Sequence, residues 1–185
     1  AALLLVVTAP PGRARVGAAV FGFSTAGMLG ASALLHRGNW TVQQHQRLTR
    51  LDHTMIFCTI AGTYTPILLL GDGGSHSTLL LVVLWIAAAA GILIEWLPVR
   101  APRGYVTTVF LTMGWMGLIA FPGIYDTLGA TAFWLIFGGG LLYSVGALVH
   151  AWKWPDPAPA VFGYHEIWHL CVLAALCLHY VAIAG

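Results

Sequence analysis

Seven apolar stretches, separated by short polar or Pro/Gly-rich breaks, organise the chain at 1–9, 14–36, 52–70, 77–97, 105–125, 128–151 and 164–184. Six of them approach the roughly 20 residues that a helix needs to cross a bilayer. The first is too short, because nine helical residues rise only about 13 Å. The chain opens at Ala1 without a methionine, so this run is expected to be the remainder of a first span. A remnant of a signal-peptide core is the rival reading. The breaks carry helix-stopping residues: Pro10-Pro11-Gly12, Gly71-Asp72-Gly73-Gly74, Pro98 with Pro102, and Pro155-Asp156-Pro157 with Pro159. Residues 37–50 form the longest polar stretch, about right for a connection with a short interfacial helix. The pattern predicts an all-α integral membrane protein, a seven-transmembrane helix bundle in one domain over 1–185, with the first helix truncated.

Composition agrees with the class. Hydrophobic residues make up 59% of the chain, charged residues 8%, and the mean hydropathy is +0.84, which leaves too little polar surface to cover a soluble globule. Arg37, Arg47, Arg50, Arg100, Arg103 and Lys153 fall in alternate breaks, whereas the opposite breaks carry Arg13 and Arg15 with Asp72 and Asp126. The positive-inside rule therefore predicts a cytoplasmic N-terminus and an external C-terminus. The net charge of +2 suits anionic headgroups, and no basic block is long or aromatic enough for nucleic acid. Cys58, Cys171 and Cys177 sit inside runs without paired spacing and read as small buried hydrophobes. Trp40, Trp96, Trp152, Trp154 and Tyr125 stand at run ends, as interfacial anchors do. Pro66 is expected to kink the third run, and Gly138-Gly139-Gly140 to let neighbouring backbones approach.

Chemistry enters with a few polar residues at the ends of these runs. His165 and His169 are four apart at the start of the last run, so a helix presents both rings on one face, one turn apart. Ser32 and His36 repeat that spacing at the end of the second run, and Asp52 opens the third. Threading the runs back and forth puts all five at the cytoplasmic face. Polar side chains at membrane depth are costly without a purpose. Three neutral imidazoles with water as fourth ligand make the open tetrahedral site of a catalytic zinc ion. In that reading His36, His165 and His169 bind Zn2+, Asp52 is the base for the water on the metal, and Ser32 hydrogen-bonds that water or a developing oxyanion. A helix hydroxyl bonded to its own backbone is the bland alternative for Ser32. His45, His53, His76, His150 and His179 lack a partner at matching depth and read as loop, interface or packing residues, His53 being the nearest to inclusion.

Two rivals use the same residues. His165-Glu166-Ile167-Trp168-His169 matches the H-E-x-x-H pattern of zinc proteases, with Glu166 as base. That reading leaves His36 and Asp52 unexplained, and Glu166 also suits the positive start of a helix. Intramembrane histidines also ligate b-type haem, although adjacent His165 and His169 favour one small ion.

At these residues the chain resembles the haemolysin III group of the progestin and adipoQ receptor (PAQR) family. The resemblance rests on Ala31-Ser32-Ala33-Leu34-Leu35-His36, on Leu51-Asp52-His53 leading to Gly62-Thr63-Tyr64-Thr65-Pro66, and on Phe162-Gly163-Tyr164-His165-Glu166-Ile167-Trp168-His169. It implies a seven-helix membrane fold, zinc on His36, His165 and His169, the zinc water held by Asp52, Ser32 in the same site, and no catalytic part for Glu166. Animal relatives look like hydrolases of ceramide-type lipid amides, and the bacterial branch is associated with membrane-lipid homeostasis and haemolysis. A long N-terminal cytoplasmic domain of the animal kind is not expected. The expectation is a multi-pass protein of the bacterial plasma (inner) membrane, its zinc site toward the cytoplasm, hydrolysing amide or ester bonds of a membrane lipid. The non-enzymatic alternative is a zinc-stabilised sensor or pore-forming haemolysin.

Overall fold

The computed structural model describes residues 1–71, 75–98 and 104–185. The predicted break at Asp72-Gly73-Gly74, Pro102, and the loop arginines Arg100 and Arg103 lie outside the described residues. The described residues form helices and no strands: α1 (Ala2–Thr8), α2 (Arg13–Arg37), α3 (Val42–Leu70), α4 (Ser75–Trp96), α5 (Tyr105–Trp115), α6 (Phe121–Trp152) and α7 (Tyr164–Ala184). A 3-10 turn, Met116–Ala120, joins α5 to α6. Five helices, α2, α3, α4, α6 and α7, are long and apolar enough to cross a membrane. The protein is an all-α membrane protein with a short first helix. Large apolar side chains such as Leu3, Phe23, Ile119 and Trp134 face outward, as lipid-facing residues do and as a water-soluble monomer rarely permits. The chain divides into two compact units, Ala1–Pro102 and Arg103–Gly185.

In the first unit α3 packs against both α2 and α4, and α1 packs against α2. Small residues set the α2–α3 distance. Gly17 lies so close to the Pro66 ring that an added Cβ would sit 2.7 Å from its Cα, and Gly62 faces Ser24 with no room for a methyl. The Thr59 hydroxyl donates to the Ser24 carbonyl at 3.0 Å across this seam. This is the packing membrane helices use where no hydrophobic driving force pulls them together. On the other side of α3, Phe57 fills the space over Gly91 and the Trp85 indole N–H donates to Thr65 at 3.2 Å. The helix runs on through Pro66, which is buried against Gly17.

α3 starts ten residues before the predicted apolar run, and its first turns replace the separate interfacial helix expected between 37 and 50. A capping box explains the start: the Gln44 N–H donates to the Thr41 hydroxyl at 3.3 Å, and the Gln44 amide oxygen accepts from the Thr41 N–H at 3.0 Å. Both are donors a helix start otherwise leaves unmet. Thr41→Ala should lower thermal stability by about 1 kcal/mol, read from the unfolding midpoint in detergent.

In the second unit α6 and α7 form the principal contact. Gly129, at φ 80° and ψ 168°, breaks the helical path within α6, a conformation open to glycine alone at small cost. The break predicted between 125 and 128 is therefore a kink a few residues later, and the fifth run becomes an 11-residue α-helix followed by the 3-10 turn. Gly139 makes room for the buried imidazole of His179, whose Nε2–H donates to the Ile136 carbonyl at 3.2 Å, and Gly146 accommodates Trp168 and Cys171. The glycine run thus serves close packing, and His179 is the packing residue the sequence suggests. Trp96, Trp152 and Trp154 are exposed at helix ends, where interfacial anchors belong.

Candidate metal centre

The start of α7 is built by two carboxylates. Glu166 turns back to accept the Gly163 N–H at 2.8 Å, and Asp156 accepts the Tyr164 N–H at 3.1 Å. Both meet unpaired donors at the positive end of the helix. Glu166 is exposed and engaged with its own backbone, the capping disposition that an acid at the positive start of a helix favours.

With the helix so fixed, His165 and His169 stack one turn apart. Their Nε2 atoms are 3.0 Å from each other, with ring centroids 4.6 Å apart at 74°. Two imidazole ligands of a tetrahedral zinc ion, each at roughly 2.0–2.1 Å, would lie about 3.3–3.4 Å apart, so the separation of this pair is near what two ligands of one ion would need. Both rings are half-buried. His150, near the end of α6, stands with its ring centroid 5.8 Å from that of His165 and 5.9 Å from that of Trp168, and Tyr164 packs at 6.4 Å from His165. His150 is therefore a neighbour of the histidine pair that sequence reasoning set aside. Its depth, in the turn of α6 before the break to α7, was the available signal.

In the first unit Ser32 and His36 occupy successive turns at the end of α2, His36 exposed and Ser32 half-buried. Asp52 is half-buried in α3. The cross-seam contacts Gly17 to Pro66, Ser24 to Thr59 and Gly27 to Met55 fix the antiparallel register. Continuing that register brings Asp52 level with Ala31 and Ser32, one turn in from His36. A hydroxyl, an imidazole and a carboxylate therefore share one end of this unit. The carboxylate is an acceptor and proton carrier, the hydroxyl a small donor, and the imidazole a ligand suited to zinc.

His53, beside Asp52, is not idle. Its Nδ1 lies 3.0 Å from a Glu95 carboxylate oxygen, and the neighbouring Trp96 indole N–H donates to the Thr54 hydroxyl at 2.9 Å. Neither pairing was visible in the sequence, because each needs the α3–α4 register.

A sequence model of the family described as Haemolysin-III related matches residues 1–180. The chain is 37% identical over 154 residues to the hemolysin-3 homolog of Bacillus subtilis strain 168, covering 83% of this chain and 69% of that protein. It is 36% identical over 135 residues to hemolysin-3 of Bacillus cereus, covering 73% and 59% respectively. The monocyte to macrophage differentiation factor of Homo sapiens is 26% identical over 174 residues, covering 91% of this chain and 69% of its own length. The chain thus spans between 59% and 69% of the length of these relatives. The motifs around Ser32, Asp52 and His165 that suggested the haemolysin III group of the PAQR family all lie inside the matched region, and the chain belongs to the Haemolysin-III related family.

Proposed function

We propose that this protein is a zinc-dependent hydrolase of lipid amide or ester bonds, with His36, His165 and His169 as the metal ligands. The observation that carries the reading is the His165–His169 pair, two ligand nitrogens 3.0 Å apart at the mouth of a spanning helix. Alternate passage of the runs across the bilayer carries the end of α2 and the beginnings of α3 and α7 to one face, which supports adding His36 to that pair. The basic residues Arg37 at the end of α2, Arg47 and Arg50 in the first turns of α3 and Lys153 just past α6 support a cytoplasmic site in the plasma membrane.

The donor set fits zinc: three imidazoles, no thiolate, and a carboxylate held back as an acceptor. Bound there, zinc supplies Lewis acidity that brings a water toward ionisation near neutral pH and polarises a carbonyl. Asp52 accepts the proton released as the water oxygen bonds to the acyl carbon. It returns that proton to the departing amine nitrogen or alcohol oxygen as the C–N or C–O bond breaks, leaving a free fatty acid. The Ser32 hydroxyl donates to the acyl oxygen as charge gathers on it. The lipid's acyl chain lies among the apolar helix faces.

Fatty-acid release by the purified, zinc-loaded protein from a panel of ceramides, N-acyl amines and phospholipid esters tests this reading. Asp52→Asn should lower turnover by about 10²–10⁴-fold while zinc content stays at the wild-type level. No release from any lipid with zinc fully bound, or undiminished release by Asp52→Asn, removes the hydrolase. A zinc ion whose chelation then lowers only the unfolding temperature belongs to a structural clamp in a sensor or pore-forming protein.

A further inference from the structure

The α3–α4 contact contains a carboxylate that the proposed chemistry does not use. Glu95 lies in the last turn of α4, where the helix dipole disfavours an acid, and its side chain is only 17% exposed. An acid so placed in a spanning helix needs a partner and usually a purpose. Its partner is His53, at 3.0 Å. The next residue, Trp96, grips Thr54 at 2.9 Å, and the Thr54 hydroxyl in turn donates to the Arg50 carbonyl at 2.8 Å. Two consecutive residues of α4 therefore hold the two residues of α3 that follow Asp52.

The two sides of α3 divide the work. Residues 55, 59, 62 and 66 recur at helical spacing on the side that meets α2, and position 52, one turn earlier, continues that spacing, whereas 53, 57 and 65 meet α4. Asp52 belongs to the α2 side and His53 to the α4 side. The glycine contacts hold the middle and far end of α3, and the Glu95–His53 contact adds a restraint on its rotation at the Asp52 end. A carboxylate about 6 Å from a helix axis moves about 1 Å when the helix turns by about 10°, and a misplacement of about 1 Å costs a reacting group about a hundredfold in rate.

We infer that Glu95 is a positioning residue for Asp52, acting through His53. The inference rests on Asp52 being the carboxylate that serves the reaction, and its test separates the two. The chain contains four aspartates, Asp52, Asp72, Asp126 and Asp156, so protein labelled with carbon-13 at the aspartate carboxyl gives a spectrum of four lines, with the Asp52 line identified by Asp52→Asn. This readout needs neither metal nor substrate. Glu95→Ala should displace the Asp52 line and leave the other three in place, and Glu95→Gln, which keeps an acceptor for His53, should return it toward the wild-type position. If Glu95→Ala collapses all four lines, Glu95→Asp, whose carboxylate is drawn back by one methylene, should displace the Asp52 line alone. In turnover, Glu95→Ala should lower kcat by about 10–100-fold with little change in KM, and should cost nothing further in the Asp52→Asn background. An unmoved Asp52 line in a folded Glu95→Ala or Glu95→Asp protein overturns the inference, as does an equal loss of rate in both backgrounds. A wild-type protein without turnover whose Asp52 line still follows Glu95 refutes the hydrolase and retains the positioning.

Discussion

His165→Ala and His169→Ala should each weaken zinc binding by more than about a hundredfold, measured by competition with a chromophoric chelator in detergent micelles. The magnitude follows from geometry. Loss of a residue that merely orients a ligand costs about 10–100-fold in metal affinity, and these two rings are ligand candidates in their own right, with nitrogens 3.0 Å apart. Removing one leaves an ion with too few protein donors to compete against water. His36→Ala should match them, as the three-ligand proposal requires. His179→Gln is the control: its ring is buried against Ile136 and Gly139, nearly three turns beyond His169 along α7, and its loss should leave zinc affinity within a few-fold of wild type. Equal affinity in wild type and His165→Ala would show that the pair is an ordinary imidazole hydrogen bond. A Soret band without stoichiometric zinc would revive haem.

How far the sequence anticipates these residues depends on whether a signal is local. The spans 14–36, 77–97 and 164–184 match Arg13–Arg37, Ser75–Trp96 and Tyr164–Ala184 within two residues, because each apolar run ends where Gly, Pro or charge stops it. The start of α3 was misjudged because apolar content cannot tell a polar helix from a loop, although Thr41-Val42-Gln43-Gln44 carried the capping signature. The α5–α6 region was misplaced because hydropathy registers neither a 3-10 turn nor a left-handed glycine inside an apolar segment. The same distinction holds at the candidate site. His165 and His169 are four apart and so face one way in any helix, whereas the level shared by Asp52 and Ser32 depends on the glycine-set register of α2 on α3. The Glu95–His53 contact spans 42 residues, and no periodicity reports it. Glu166 matches a catalytic motif by spacing, its place in the first turn equally suits a helix start, and its hydrogen bond to the Gly163 N–H shows it acting as a cap.

The register of α2 on α3 also bears the most severe prediction for the fold. Gly17→Ala should lower stability by about 2–4 kcal/mol or abolish folded protein altogether, whereas Gly30→Ala, in the same helix, should be neutral or stabilising by up to about 1 kcal/mol. The two glycines differ only in what a methyl meets. At Gly17 a Cβ would lie 2.7 Å from the Pro66 Cα and 2.8 Å from its Cβ, and at Gly30 it would meet nothing within 4 Å. The proline cannot yield, since its ring is tied to the backbone and its side chain is fully buried. The helices must therefore part. Parting them breaks the Thr59 bond to the Ser24 carbonyl and moves Asp52 away from the level of Ser32. A variant that still folds should accordingly lose the proposed hydrolysis as well as stability, by an amount that a zinc-saturated sample does not recover. Thermal unfolding of the two variants side by side checks the packing. Equal midpoints for Gly17→Ala and Gly30→Ala would mean that α2 and α3 do not approach at glycine distance, and the alignment of Ser32, His36 and Asp52 derived from that approach would fall with it.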